Sequence, residues 1–306
     1  MLEEQLIAAR WGLYLNLGLL FGLPLFALFT GRDRDAATLP LRVPMAILAF
    51  AGLLLSAWSF VIMTASMMGA PLFSLDSATL RMVLAETNVG WAFIARMFAL
   101  LTVMALAISS QARGRAALAG MTLVAGVALA SLVWHGHGVA TEGLLGTVHL
   151  VSDIVHLLAA SAWIGALAAF LWATGASYRK TLEALETAHV ALVGFATSGS
   201  IIVGLIVLTG IVNSAILVGP ENVWALGASS YGRLLMIKLA LFVVMLALAA
   251  TNRFRLTPAL RAGIDGGETD AAVVRLRRSL WLEVGAGILI LIIVAWLGTL
   301  PPPATG

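Results

Sequence analysis

The chain has no cysteine, so it can form neither a disulfide nor a thiolate metal site, and any metal would have to be held by His, Met or carboxylate. Charge is scarce too: 11% of residues are charged against 61% hydrophobic, a balance that excludes a soluble globular protein. The polar connections between apolar runs are short, leaving no room for a sizeable soluble domain. Neither a nucleotide-binding loop nor a catalytic nucleophile can be read from the sequence, and the expected protein is therefore not an enzyme. The net charge of +3 comes from basic residues scattered among those connections, so nothing supports a nucleic-acid partner.

What the chain does have is apolar runs longer than about 18 residues, the length a helix needs to cross the hydrocarbon core. Eight are expected, over about 5–30, 42–68, 88–110, 113–135, 148–174, 190–217, 231–252 and 279–300. Helices satisfy their own backbone groups, as lipid requires. The expected fold is an all-α polytopic transmembrane bundle, one integral membrane domain over residues 1–306. The first run is too long for a cleavable signal and lacks a small-residue cleavage site, so it is read as the first span.

Lys and Arg set the orientation. The connections with Arg32, Arg34 and Arg42, with Arg113 and Arg115, with Arg179 and Lys180, and the stretch 253–278 hold thirteen of the eighteen. The positive-inside rule makes these cytoplasmic and puts both termini on the outer, periplasm-like side. Residues 74–87, with Leu75, Leu80, Val83 and Leu84 after Asp76, predict a short helix at the outer interface. The polar stretch 256–277 is the expected place for disorder.

Four of the five histidines lie in one outer hairpin between Trp134 and Gly165. His135 and His137 end one apolar run; His149, Asp153 and His156 enter the next, their side chains within roughly 60° of one another on a helix. Ionisable groups inside a span are expensive and mark functional sites, and imidazole with carboxylate suits copper and related metals. The stripe extends about 10 Å along the helix, too far for one ion to take both of its histidines. Two stations are therefore expected, or one ion shared by His149 and His137, with Asp153 accepting a proton or orienting an imidazole. The alternative is a set of polar residues that hydrogen-bond across the bundle. His189, at the start of the sixth span, reads as a surface residue.

Met63 and Met67, four apart at the outer end of the second span, suit Cu(I) or simply fill the core. Arg96, Arg233 and Lys238 lie in apolar spans and need partners, with Asp153 and Glu86 nearest in depth. Together with Asn252 they form an expected buried polar network. Asn252 and Glu283 either line an inner exit or pair. The run Gly90-Trp-Ala-Phe-Ile-Ala-Arg96 aligns with Gly232-Arg-Leu-Leu-Met-Ile-Lys238, four spans apart, which suggests two parallel four-helix halves.

Several of these segments resemble the copper resistance D (CopD) family of bacterial inner-membrane proteins. They are Gly136-His137-Gly138, the run from His149 through Asp153 and His156 to Trp163-Ile-Gly165, Thr209-Gly-Ile-Val-Asn213, and Tyr231-Gly-Arg233 through Lys238 to Asn252-Arg253. The resemblance implies copper, as Cu(I) or Cu(II), taken from the periplasmic side and moved across the inner membrane, alongside a small periplasmic copper-binding partner. The rival expectation is a haem-binding redox protein, with histidines from facing helices on the iron and Arg96, Arg233 or Lys238 at the propionates.

Overall fold

The computed structural model describes residues 2–30, 40–109, 114–135, 143–175 and 181–305. In chain order the helices are α1 (Leu2–Thr30), α2 (Arg42–Met68), α3 (Ser77–Glu86), α4 (Asn88–Ile108), α5 (Gly114–Ala130), α6 (Gly143–Ala173), α7 (Leu182–Leu217), α8 (Ser230–Thr251), α9 (Thr257–Gly266) and α10 (Thr269–Leu297). No strand occurs among the described residues. Eight of the helices are long and apolar enough to cross a membrane, α8 and α9 counting as one. The protein is thus an all-α polytopic bundle.

Several helices outrun their apolar cores. The fifth span begins at Gly143 and the sixth at Leu182, where the Thr181 hydroxyl accepts from the Ala184 amide at 3.3 Å. Acidic Glu183 in that first turn suits the positive end of the helix dipole. The short helix expected over 74–87 forms as α3, capped by the Asp76 carboxylate, which accepts from Thr79 N at 2.8 Å. That hydrogen bonding by Thr79 holds the Asp76 carboxyl below its ordinary range.

The expectation of disorder over 256–277 is corrected. A π-turn at Asn252–Leu256 carries α8 straight into α9, Gly267 turns the chain in a left-handed conformation at φ 79°, and α10 starts at Thr269. The physical reason is an apolar face that the local charges hide. Leu260, Ile264, Ala272, Val273 and Leu276 are buried, while Arg261 and Asp265 pair with each other on the exposed side at 2.9 Å.

The centre of the bundle is the crossing of α1 on α6, the most extensive helix contact in the fold. Gly22 lies against Gly165, and Gly18 against Ser161, so closely that a Cβ on Gly22 or Gly165 would strike the other helix's backbone. Small residues let helix backbones approach in this way where lipid offers no hydrophobic drive for association. On one side α1 packs with α2 and α5, and α4 bridges those two; on the other, α6 packs with α7, and α10 with α8 and α6.

The two sides repeat in detail. The Thr87 hydroxyl accepts from Gly90 N at 3.0 Å, and the Ser229 hydroxyl from Gly232 N at 3.0 Å. Each glycine is pressed against the carbonyl of a preceding short helix, Leu84 in α3 and Leu226 in a 3₁₀ helix at Pro220–Ala228. Arg96 and Lys238 follow at equal spacing. The α1–α6 crossing keeps within one residue of the same register. One difference between the halves bears on the site: α2 packs on α4, whereas among the described residues their counterparts α7 and α8 make no comparable contact.

Candidate functional site

A cavity of about 560 Å³ fills the gap that the parting of α7 and α8 leaves, walled mainly by α6, α7, α8 and α10, with Tyr14 of α1 and Leu132 and Val133 after α5. Its polar side chains include His149, Asp153 and His156 from α6, Asn213 from α7, and Tyr231 and Lys238 from α8. The stripe expected on the fifth span therefore faces one space. Its neighbours on that wall are hydrocarbon, so these groups dominate the local electrostatics.

His149 is fully buried, and among the described residues neither ring nitrogen has a hydrogen-bond partner. Its Nε2 lies 3.6 Å from Asp153 Oδ2, too long for a hydrogen bond but a separation that one ion between them would span with bonds of about 2 Å. The other carboxylate oxygen of Asp153 accepts from Asn213 Nδ2 at 2.7 Å, which fixes the carboxylate. One turn further in, His156 Nδ1 is 2.9 Å from the Thr209 hydroxyl. That hydroxyl gives its own hydrogen to the Leu205 carbonyl, so it can only accept from the imidazole. The pattern assigns the proton to Nδ1 and leaves the Nε2 lone pair of His156 for a ligand. Ser152 ties the same two helices together by donating to the Thr209 carbonyl at 3.2 Å.

The structure places the other expected site residues differently. His137 lies outside the described residues, and His135 closes the 3₁₀ turn Ser131–His135 after α5. Met63 is half-buried against Leu6, Ala9 and Ile62, Met67 is exposed, and neither lines the cavity, whose thioether is Met245. Arg96 is fully buried in the first half, donating from Nε to Ser131 Oγ at 2.9 Å. The expectation that Arg233 and Glu86 are buried is corrected, since both are exposed. Arg233 stands in the first turn of α8, about 140° round the helix from Lys238, so the two cannot share a face. Glu86 is the last residue of α3. Asn252 pairs with Glu283 at 2.9 Å in a separate region. The five residues of the expected polar network thus divide among distinct surroundings. His189 is half-buried near the start of α7.

Among the described residues no three His, Asp or Glu side chains converge on a point where one metal could bind. Both histidines of the cavity belong to α6, so the facing-helix pair required for the haem expectation is not found among the described residues. Sequence reasoning had not assigned Thr209 and Asn213 to the site, although a usable signal was there: two polar residues four apart inside an apolar span, on one helical face.

Residues 1–147 match the family described as copper resistance protein D-like, N-terminal domain, and residues 189–297 match copper resistance protein D. Copper resistance protein D of Pseudomonas syringae pv. tomato is 40% identical over 305 residues, 98% of each chain. Inner membrane protein YebZ of Escherichia coli (strain K12) is 28% identical over 169 residues, 55% of this chain and 54% of that one. Copper transport protein CutJ of Bacillus subtilis (strain 168) is 29% identical over 168 residues, 55% of this chain and 28% of that one. No solved structure matches. With similarity to a copper resistance protein along nearly its whole length, this eight-span chain belongs to the copper resistance protein D family.

Proposed function

We propose that the protein takes copper from the periplasmic side and moves it across the inner membrane through the cavity between α7 and α8. The observation that supports this best is His149, a buried imidazole whose two nitrogens have no hydrogen-bond partner among the described residues, facing a carboxylate held by Asn213. Copper docks between His149 and Asp153 and passes to Nε2 of His156, with His137 and His135 as further ligands from the preceding loop. Lys238 and Asp153 share the cavity, so an arriving cation meets no large excess of positive charge. Both termini face the periplasm, where a small copper-binding protein supplies the ion, and the membrane potential contributes about 2.3 kcal/mol per 100 mV to inward movement of a monovalent cation.

Copper uptake into vesicles reconstituted with the purified protein tests this. Accumulation above that of protein-free vesicles is expected, and accumulation equal to theirs would sink the transport reading. Thr209→Val removes the acceptor that orients the His156 ring. It is expected to weaken copper binding by about 10–100-fold, as loss of a ligand's supporting hydrogen bond does. Unchanged affinity in a copper titration would mean that Thr209 does not set the tautomer.

A further inference from the structure

A second cavity of about 320 Å³ lies on the other side of Trp163, which lines both spaces. Its chemistry differs from the first. Among the described residues it has no histidine or methionine in its walls; its polar side chains are Glu283, Asn252, Arg253, Ser200, Thr257 and the Trp163 indole. Glu283 is almost fully buried. One carboxylate oxygen accepts from Trp163 Nε1 at 2.7 Å and the other from Asn252 Nδ2 at 2.9 Å. Among the described residues no basic side chain forms an ion pair with it. A carboxylate buried without a cation is costly, and two neutral donors compensate only in part.

We propose that Glu283 is a proton-binding site on the inner side of Trp163, set across that side chain from the copper stations and coupled to copper passage. Oxygen ligands alone suit a proton or a hard cation rather than Cu(I). The site is built to accept either charge state. Asn252 Oδ1 is buried with no hydrogen-bond partner among the described residues, so rotating the amide by half a turn offers that oxygen to a protonated Glu283 while Trp163 still donates to the other side. The proton enters from the inner side, forms an O–H bond to Oε2, and leaves the same way when the amide turns back. Asn252 opens the π-turn between α8 and α9, a distortion that often marks functional positions.

The surrounding charges leave this carboxyl to itself. Arg253 sits at the exposed edge of the cavity, donating to Ala196 O and Ser200 Oγ on α7. Arg277, on α10, donates to Leu171 O on α6 and to Thr174 Oγ1 just past its end. Arg261 and Asp265 on α9 pair with each other. Asp153, His156, Lys238 and Tyr14 of α1 line the outer cavity, beyond Trp163.

The coupling rests on the transport reading, but the proton site can be tested without it. Infrared difference spectra of the purified protein between acidic and alkaline pH are expected to show a protonated-carboxyl C=O band that disappears in Glu283→Gln. Glu283→Asp, which keeps a carboxyl in the cavity should the amide not fold, is expected to shift that band. A band that neither substitution alters overturns the proton site, whether or not copper moves. In reconstituted vesicles, wild-type copper uptake is expected to vary with internal pH and Glu283→Gln uptake not to. Wild-type pH dependence retained by Glu283→Gln overturns the coupling. Vesicles that take up no copper at all count against the transport reading alone.

Discussion

Replacing His149 with alanine is expected to lower the copper affinity of the purified protein by at least about 100-fold, more than the loss of a supporting second-sphere residue. The size of the effect follows from what surrounds the ring. His149 is fully buried and no group among the described residues hydrogen-bonds to either nitrogen, so these residues provide no substitute donor at that point. Asp153 remains after the substitution, still held by Asn213, but a single carboxylate is a weak, hard ligand for a soft ion. His156→Ala is expected to weaken binding as well, since its Nε2 is the other imidazole nitrogen left for a ligand in the cavity. The measurement is a competitive copper titration against a chromophoric chelator. If both variants bind as the wild type does, the α6 stripe is structural and the docking site lies elsewhere.

Gly165→Ala is expected to destabilise the protein by about 2–3 kcal/mol, the upper part of the range for overpacking a well-filled core. The added methyl group would fall on the Gly22 backbone, and backbone cannot rotate out of the way as a side chain can. Gly22 faces Ser161 and Gly165 in the same manner, so the crossing must open along its length. That crossing joins the two halves, and α6 carries His149, Asp153 and His156, so on the proposed function copper affinity is expected to fall together with stability. Gly204→Ala is the matched control: its Cβ meets nothing within 4 Å, and alanine is the better helix former. Thermal unfolding in detergent reads both. A Gly165→Ala melting temperature no lower than that of Gly204→Ala would show that the contact is not tight in solution.

Much of this architecture could be read in the sequence because its signals are local. The count of eight spans follows from hydropathy, and eight helical stretches among the described residues are long and apolar enough to cross a membrane. The stripe of His149, Asp153 and His156 needed only the helical period, and α3 only its Asp76 cap and apolar face. The repeat was readable from Gly90 and Gly232, and the structure adds why those glycines are needed: a short helix presses on each. The stretch 256–277 misled because its polar residues outnumber the narrow apolar face that α9 and α10 bury. Arg233 and Lys238 looked alike by depth, and rotation about the helix axis separates them.

The sequence by itself determined the solvent, the span count and the absence of thiolate ligands, since composition and run length do not depend on how the helices meet. Only the tertiary structure decided that α7 and α8 part to leave a cavity, that Asn213 and Thr209 are the residues supporting Asp153 and His156, and that Trp163 stands between two chemically unlike spaces. Those pairings join residues 60 and 53 positions apart in the chain. They join α6 to α7, and no local pattern encodes which helix will supply the other half of a hydrogen bond.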